Sequence, residues 1–336
     1  MHVRLKPLRE QVIVITGASS GIGLTTARAA AARGAKVVLV SRDQQDLAAV
    51  ADDIRAAGGA AEVVVADVAD FDALRAVAMR AVERFGRIDT WVNNAGVSIY
   101  GSIADVPLDD ARRLFETNYW GVVHGSLAAV PHLKVQGGAL INVGSVLSDT
   151  TMPLQGHYSA SKHAVKGFTD ALRLELEKEG APVSVTLVKP AAIDTPYTEH
   201  AANHLGVEPK HQPPVYEPMV VADAILACAT SPRRDVKVGG AAKMFTTLET
   251  LAPRLADRFK LASSFTGQRS DEPARADDTL YAPRPGDGRE RGTYPGHVMK
   301  SSAFTTASLH PVATVLGAAA LGLGVALMAR HTNREG

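Results

Sequence analysis

The sequence predicts an α/β protein built on a parallel, doubly wound sheet of about seven strands. Two observations carry this reading. Seven short runs rich in Val, Ile and Leu recur between residue 12 and about residue 240, separated by Ala-rich segments of helical length and spacing. The runs are continuously apolar rather than alternating, which suits strands covered by helices on both faces. Strands that alternate with helices build a parallel sheet, because a crossover is needed to bring the chain back in the same direction.

In chain order, the strands are read at residues 12–16, 36–40, 62–66, 90–93, 139–143, 183–188 and 235–238. The helices between them are read at 21–33, 44–57, 71–85, 108–130, 157–179 and 218–230. Residues 1–262 form the catalytic domain on this reading. Residues 263–310 are rich in Ser, Thr, Pro, Gly and charge and poor in apolar residues, so they are expected to be a flexible linker. Residues 312–329 carry no charge and are followed by Arg330, His331 and Arg334. Eighteen helical residues span about 27 Å, close to a bilayer core. Residues 311–330 are therefore expected to form an apolar helix and a candidate single-pass membrane anchor.

Composition narrows the function. The chain has 336 residues, 46% hydrophobic and 21% charged, enough for a large core. A net charge of +1 gives no nucleic-acid footprint. The single cysteine, Cys228, excludes an internal disulfide and reads as a buried helical thiol in AILACA. No secretory signal opens the chain, which places the catalytic domain in the cytoplasm on this reading.

The first strand runs directly into TGASSGIG, residues 16–23, and a helix follows. Gly17 permits the tight turn, Gly21 lets backbone approach a phosphate, and Gly23 lets the helix pack close to the sheet. The N–H groups of the helix's first turn then face an anion. With Ser19, Ser20 and Ile22, these residues form the expected cradle of a Rossmann-type dinucleotide site. At the end of the second strand, VVLVSRD places Ser41 where an acid would bind the ribose hydroxyl of NAD, and Arg42 follows. A guanidinium clamps a phosphate through two hydrogen bonds, so NADP(H) is favoured over NAD(H). The alternative is that Arg42 is a solvated loop charge and Asp43, one residue later, serves the ribose.

The spacing TGxxxGxG, together with NNAG at 93–96 and YSASK at 158–162, resembles the short-chain dehydrogenase/reductase family over about residues 10–240. The resemblance implies that Asp67, with Val68, meets the adenine, and that Asn94, Ala95 and Gly96 lie under its ribose. Asp67 as a helix N-cap is the alternative. Pro190, Ile193 and Thr195 fall at positions that resemble nicotinamide contacts. The family usually has Pro-Gly where this chain has Pro190-Ala191, which puts the conformation of that loop in question.

Tyr158 and Lys162 stand four residues apart and share a helix face. A free tyrosine has a pKa of about 10, which a nearby cation lowers. Ser145 lies just past the fifth strand, where it can hold a substrate oxygen, and Asn118 falls mid-helix, a position that costs propensity. The four match the family's Asn-Ser-Tyr-Lys tetrad by type, order and spacing. The resemblance implies Tyr158 as general acid/base, Lys162 lowering its pKa and contacting the nicotinamide ribose, Ser145 polarising the substrate oxygen, and Asn118 holding a proton relay.

The expected partner is a small carbonyl or alcohol, apolar if the anchor holds, and the resemblance implies a homo-oligomer. Residues 196–218 are expected to be a lid that sets specificity. His200, His204 and His211 within it lack a carboxylate or Cys framework, so no metal is expected. A non-catalytic NADP(H) sensor or a membrane-tethered scaffold is the alternative class; the intact tetrad argues against it.

Overall fold

A computed structural model describes residues 3–310 and Thr314. Seven strands, β1 (Val12–Thr16), β2 (Lys36–Ser41), β3 (Ala60–Val65), β4 (Thr90–Asn93), β5 (Gly138–Val143), β6 (Val183–Pro190) and β7 (Asp235–Val238), form one sheet. All pairs are parallel, in the order β3-β2-β1-β4-β5-β6-β7. The winding reverses between β1 and β4, where Ile15 stands opposite Val92. A crevice opens beyond the carboxyl ends of the strands at such a reversal.

The main helices are α1 (Gly21–Ala32), α2 (Gln44–Ala56), α3 (Phe71–Phe85), α4 (Leu108–Phe115), α5 (Gly121–Gln136), α6 (Gly156–Lys178), α7 (Pro218–Thr230), α8 (Gly240–Leu251), α9 (Pro253–Gly267) and α10 (Ala303–Leu309). Side chains of one strand point alternately to the two layers. Ile13 and Ile15 join Leu24, Leu47 and Ile225 under α1, α2 and α7. Val12 and Val14 join Leu74, Leu133 and Leu176 under α3, α5 and α6. Each such fully buried side chain stabilises the fold by about 1.5–3 kcal/mol, which fixes the strand ends that carry the site. Cys228 is fully buried in the first layer, and burial pushes its thiol up to about 12.

Three sequence expectations change here. The helix expected at 108–130 is two helices joined by a π-turn at Glu116–Trp120, and the second runs through Pro131 to Gln136. The carbonyl that Pro131 leaves without an N–H partner belongs to Leu127, an exposed residue, so the break costs little there.

The second change is larger. Residues 263–310 are not a free linker. Within them, Arg269–Pro273 pairs antiparallel with Val207–Pro209, Val298–Met299 pairs with Val215–Tyr216, and α10 packs against the first core layer through Leu309. Their low apolar content was the reason to expect a linker. What orders them instead is polar: arginines and carboxylates of this segment pair with the body of the domain.

The third concerns the membrane. Among the described residues, no helix is long and apolar enough to cross one. The anchor expected at 312–329 lies, apart from Thr314, outside the described residues.

Candidate active site

The glycine turn after β1 is tight for a steric reason. A Cβ on Gly23 would lie 2.0 Å from the Gly17 carbonyl oxygen, and one on Gly17 would lie 2.8 Å from Ala95 Cα. Gly17 and Gly21 also have positive φ, 66° and 52°. Asn94 locks the turn from the neighbouring strand: its side-chain amide donates to the Thr16 carbonyl at 2.9 Å, while Thr16 Oγ1 accepts from the Asn94 and Ala95 N–H groups. Ser20 occupies the N-cap of α1 but makes no capping bond, so its hydroxyl stays available. A bare turn, a close-packed helix N-terminus and a free hydroxyl fit a dinucleotide's pyrophosphate.

The cleft above this turn is bordered by Gly17, Ser19, Ser20, Gly21 and Ile22, by Ser41 and Arg42, by Asp67 and Val68, and by Asn94, Ala95 and Gly96. A second cavity holds Ser145, Tyr158, Lys162, Pro190 and Ile193. The two meet at Ile22, Asn94, Gly96, Thr195 and Tyr197. Of the residues expected from sequence to bind the cofactor or act in catalysis, only Gly23 and Asn118 border neither. Gly23 is packed beneath the turn, and Asn118 is fully buried behind the second cavity.

At the adenine end, Ser41 Oγ lies 3.0 Å from Ser19 Oγ. Asp43 is spent on α2: it is buried and caps the helix by accepting from the Asp46 N–H at 2.9 Å. Arg42 donates to the carbonyls of Thr279, Leu280 and Tyr281. Burial lowers its pKa, partly offset by Asp67. Asp67 caps no helix. It accepts from the Ala69 N–H and pairs with Arg113 at 2.6 Å. Burial works to raise its carboxyl, but the Ala69 N–H and Arg113 outweigh it and hold the pKa low.

The second cavity is built on α6 and the end of β5. Tyr158 and Lys162, one turn apart on α6, are both almost wholly buried. Lys162 Nζ donates to the Val143 carbonyl at 3.0 Å and lies 5.6 Å from the centre of the Tyr158 ring. Burial lowers its pKa to about 8. Ser145 starts a short 3₁₀ turn; its Oγ accepts the Leu147 N–H at 3.1 Å, which leaves its own hydrogen to donate toward the Tyr158 hydroxyl. One expectation is corrected here. Burial pushes the Tyr158 phenol up, while hydrogen bonds with Tyr197 and Ser145 only partly oppose this. Lys162 is not among the groups that shift it, so desolvation wins.

Asn118 sits on the π-turn and is fully buried. Its Oδ1 accepts the Val97 N–H at 2.8 Å; its Nδ2 donates to the Val97 carbonyl and to Ser161 Oγ. Both Asn118 Oδ1 and Lys162 Nζ border Gly96, at 3.3 and 3.7 Å from where its Cβ would stand. At the Pro190-Ala191 departure, Ala191 does not take a positive φ: among the described residues, Leu154 is the one non-glycine that does.

Sequence reasoning missed a second tyrosine. Tyr197, just past Thr195, stacks edge-on against Tyr158 at 5.6 Å, and its hydroxyl lies 2.8 Å from Ser98 Oγ and 3.1 Å from Gln155 Oε1. The aromatic immediately after IDTP was the available signal. The lid histidines scatter. His200 lies 2.7 Å from Asp287, His204 lies 3.2 Å from Asp110, and His211 stacks on Tyr197.

Comparison with known proteins gives the family. The family description "short chain dehydrogenase" matches residues 11–205. An uncharacterized oxidoreductase, YxnA, of Bacillus subtilis is 44% identical over 95% of this chain and 91% of its own. A dehydrogenase/reductase, SDR family member 7B, of Bos taurus is 33% identical over 74% of this chain and 79% of its own. Among solved structures, a short-chain dehydrogenase/reductase from Burkholderia phymatum in complex with NAD is 26% identical, with a TM-score of 0.67 over 81% of this chain and all of that one.

Proposed function

The chain belongs to the short-chain dehydrogenase family of oxidoreductases, and on that premise we propose an NADP(H)-dependent enzyme that interconverts a carbonyl and an alcohol. The observation that carries the reading is the junction of the two cavities: a dinucleotide cleft opens directly onto a buried tyrosine, lysine and serine. A nicotinamide bound in the cleft supplies or accepts the hydride.

The proton is the protein's part. Tyr158 Oη gives it to the substrate oxygen in reduction and takes it back in oxidation. With its pKa raised by burial, the phenol is protonated at neutral pH, the form that reduction needs. Ser145 Oγ donates to the same oxygen and stabilises the charge that grows there. Lys162, buried beside both, supplies a cation close to neutrality. Asn118 fixes the Val97 segment and Ser161, one residue before Lys162.

NADP(H) is favoured because the residue at the end of β2 is Ser41, the next is Arg42, and Asp43 is already engaged as a helix cap. The Burkholderia neighbour is a complex with NAD, so cofactor choice is open to direct test. The catalytic cavity is bordered by Val146, Met152, Phe245 and Phe259, which suits an apolar substrate. The test is a panel of carbonyls with NADPH and NADH, read at the reduced-nicotinamide absorbance. Turnover faster with NADPH and with apolar ketones or aldehydes supports the reading. A preference for small polar sugars removes the substrate class, and a preference for NADH removes the cofactor assignment.

A further inference from the structure

Residues 277–293 cross the mouth of the dinucleotide cleft from one rim to the other. On the β1–β2 rim, the carbonyls of Thr279, Leu280 and Tyr281 hold Arg42, and the Arg289 carbonyl accepts the Gly21 N–H at 2.9 Å. Glu290 pairs with Arg28 at 2.8 Å on the same rim, and the Gly286 N–H donates to Asp46. On the opposite rim, beyond β6, the hub is Glu199. Its side chain is 4% exposed and gathers Arg275, Arg289 and both the N–H and the hydroxyl of Thr293. Arg291 pairs there with buried Asp194 at 2.8 Å.

Two glycines let this segment press on both rims. A Cβ on Gly288 would stand 3.0 Å from the Asp46 carboxyl, and one on Gly292 would stand 2.5 Å from the Thr195 carbonyl. Space remains beneath: Thr279, Pro283, Arg284 and Asp287 border the same cavity as the glycine turn. The cavity thus persists beside the segment, although the Arg289 carbonyl already takes the Gly21 N–H of the turn and must move for a phosphate to use it. The segment lies outside the stretch that matches the family description, which ends at residue 205. A match over 95% of a 336-residue chain must nevertheless include it, so the Bacillus relative aligns across it.

We infer that residues 277–293 are a clasp that closes the cofactor site, fixes Arg42 toward the adenine end, and must release its Glu199 anchors before the dinucleotide can leave. The inference rests on the dinucleotide reading above and adds a wall and an exchange step to it. Burial works to raise the Glu199 carboxyl, but hydrogen bonds from Arg289 and Arg275 outweigh it, so the anchor is charged at neutral pH.

The experiment is stopped-flow displacement of NADPH, followed by its fluorescence, on the full chain and on two variants. Glu199→Gln removes the charge of the anchor with little change of shape. Gly292→Ala pushes the segment off the Thr195 rim without touching the sheet. The clasp predicts that both raise the NADPH dissociation rate at least about tenfold, with the association rate changed far less. Unchanged dissociation in both overturns it. So does faster association at constant dissociation, which would make the segment a competitor for the cleft. If the full chain binds neither NADPH nor NADH, the dinucleotide reading itself fails, a result distinct from either.

Discussion

The glycine turn after β1 and the clasp that faces it across the cleft are ordered by opposite means. The turn is held by apolar burial on both sides of β1 and by the absence of side chains at Gly17 and Gly23. The clasp buries little apolar surface apart from Leu280 and is held by arginines, carboxylates and main-chain carbonyls. Apolar burial is not weakened by ionic screening, whereas charge pairing is. One wall of the site is thus fixed by the core, and the other by interactions that can open.

The sharpest way to break this comparison is to put a methyl group into the rigid wall. Gly23→Ala places a Cβ against the Gly17 carbonyl, and overpacking of that kind costs about 1–3 kcal/mol. Dinucleotide binding, measured by fluorescence titration, is expected to be lost in a variant that keeps its far-UV circular dichroism. Retained binding would mean the turn is less constrained than the clasp.

The next effect lies where the two walls meet. Arg42→Ala removes a charged donor from the adenine end while the clasp loses three hydrogen bonds. Charge-assisted hydrogen bonds contribute about 1.5–3 kcal/mol, so the NADPH-over-NADH ratio of kcat/KM is expected to fall roughly tenfold to a hundredfold. An unchanged ratio would leave Arg42 as a clasp anchor alone.

Salt separates the walls more gently. At about 1 M NaCl, where screening reaches within about 3 Å, amide exchange across 277–293 is expected to quicken while that of β1 and β4 stays constant. Parallel quickening in both would remove the distinction.

This contrast also explains what could be read from sequence. β1, β4 and β7 fall at the residues expected; β1 and β4 are buried runs ended by Gly or Asn, and β7 alternates charge with valine before Gly239. β6 runs two residues beyond expectation. Lys189 ends no strand here, because Asp149 and Asp235 neutralise it at 2.9 and 3.1 Å inside the fold. The tetrad's residues were legible as types and spacings, but the π-turn that carries Asn118 was not, since one extra residue leaves hydrophobic periodicity almost unchanged. The clasp was unreadable for a deeper reason: its partners are polar, and no local pattern says which distant carboxylate an arginine will meet. The elevated Tyr158 pKa was likewise missed, because it comes from burial, which outweighs the opposing hydrogen bonds of Tyr197 and Ser145, and not from the Lys162 spacing.

The smallest expected effect tests the Lys189 explanation. Asp149 is held at a pKa of about 2: burial works to raise it, and the Lys189 and Lys166 ammonium groups outweigh that. A carboxyl whose folded pKa lies below its unfolded value of 3.8 stabilises the fold above that value and loses the contribution as pH falls toward 2. Thermal melts of the wild type and Asp149→Asn should therefore differ at pH 6 and converge as pH drops below about 4. A constant difference would place the effect in packing instead.

The central claim is that Tyr158 moves the proton beside a dinucleotide held between these walls. The direct measurement is NADPH oxidation with an accepted carbonyl substrate, compared between wild type and Tyr158→Phe, with NADPH affinity measured in parallel. The account predicts turnover reduced by about 10²–10⁴-fold at nearly unchanged affinity. Turnover that survives the loss of the hydroxyl, with affinity intact, would contradict it.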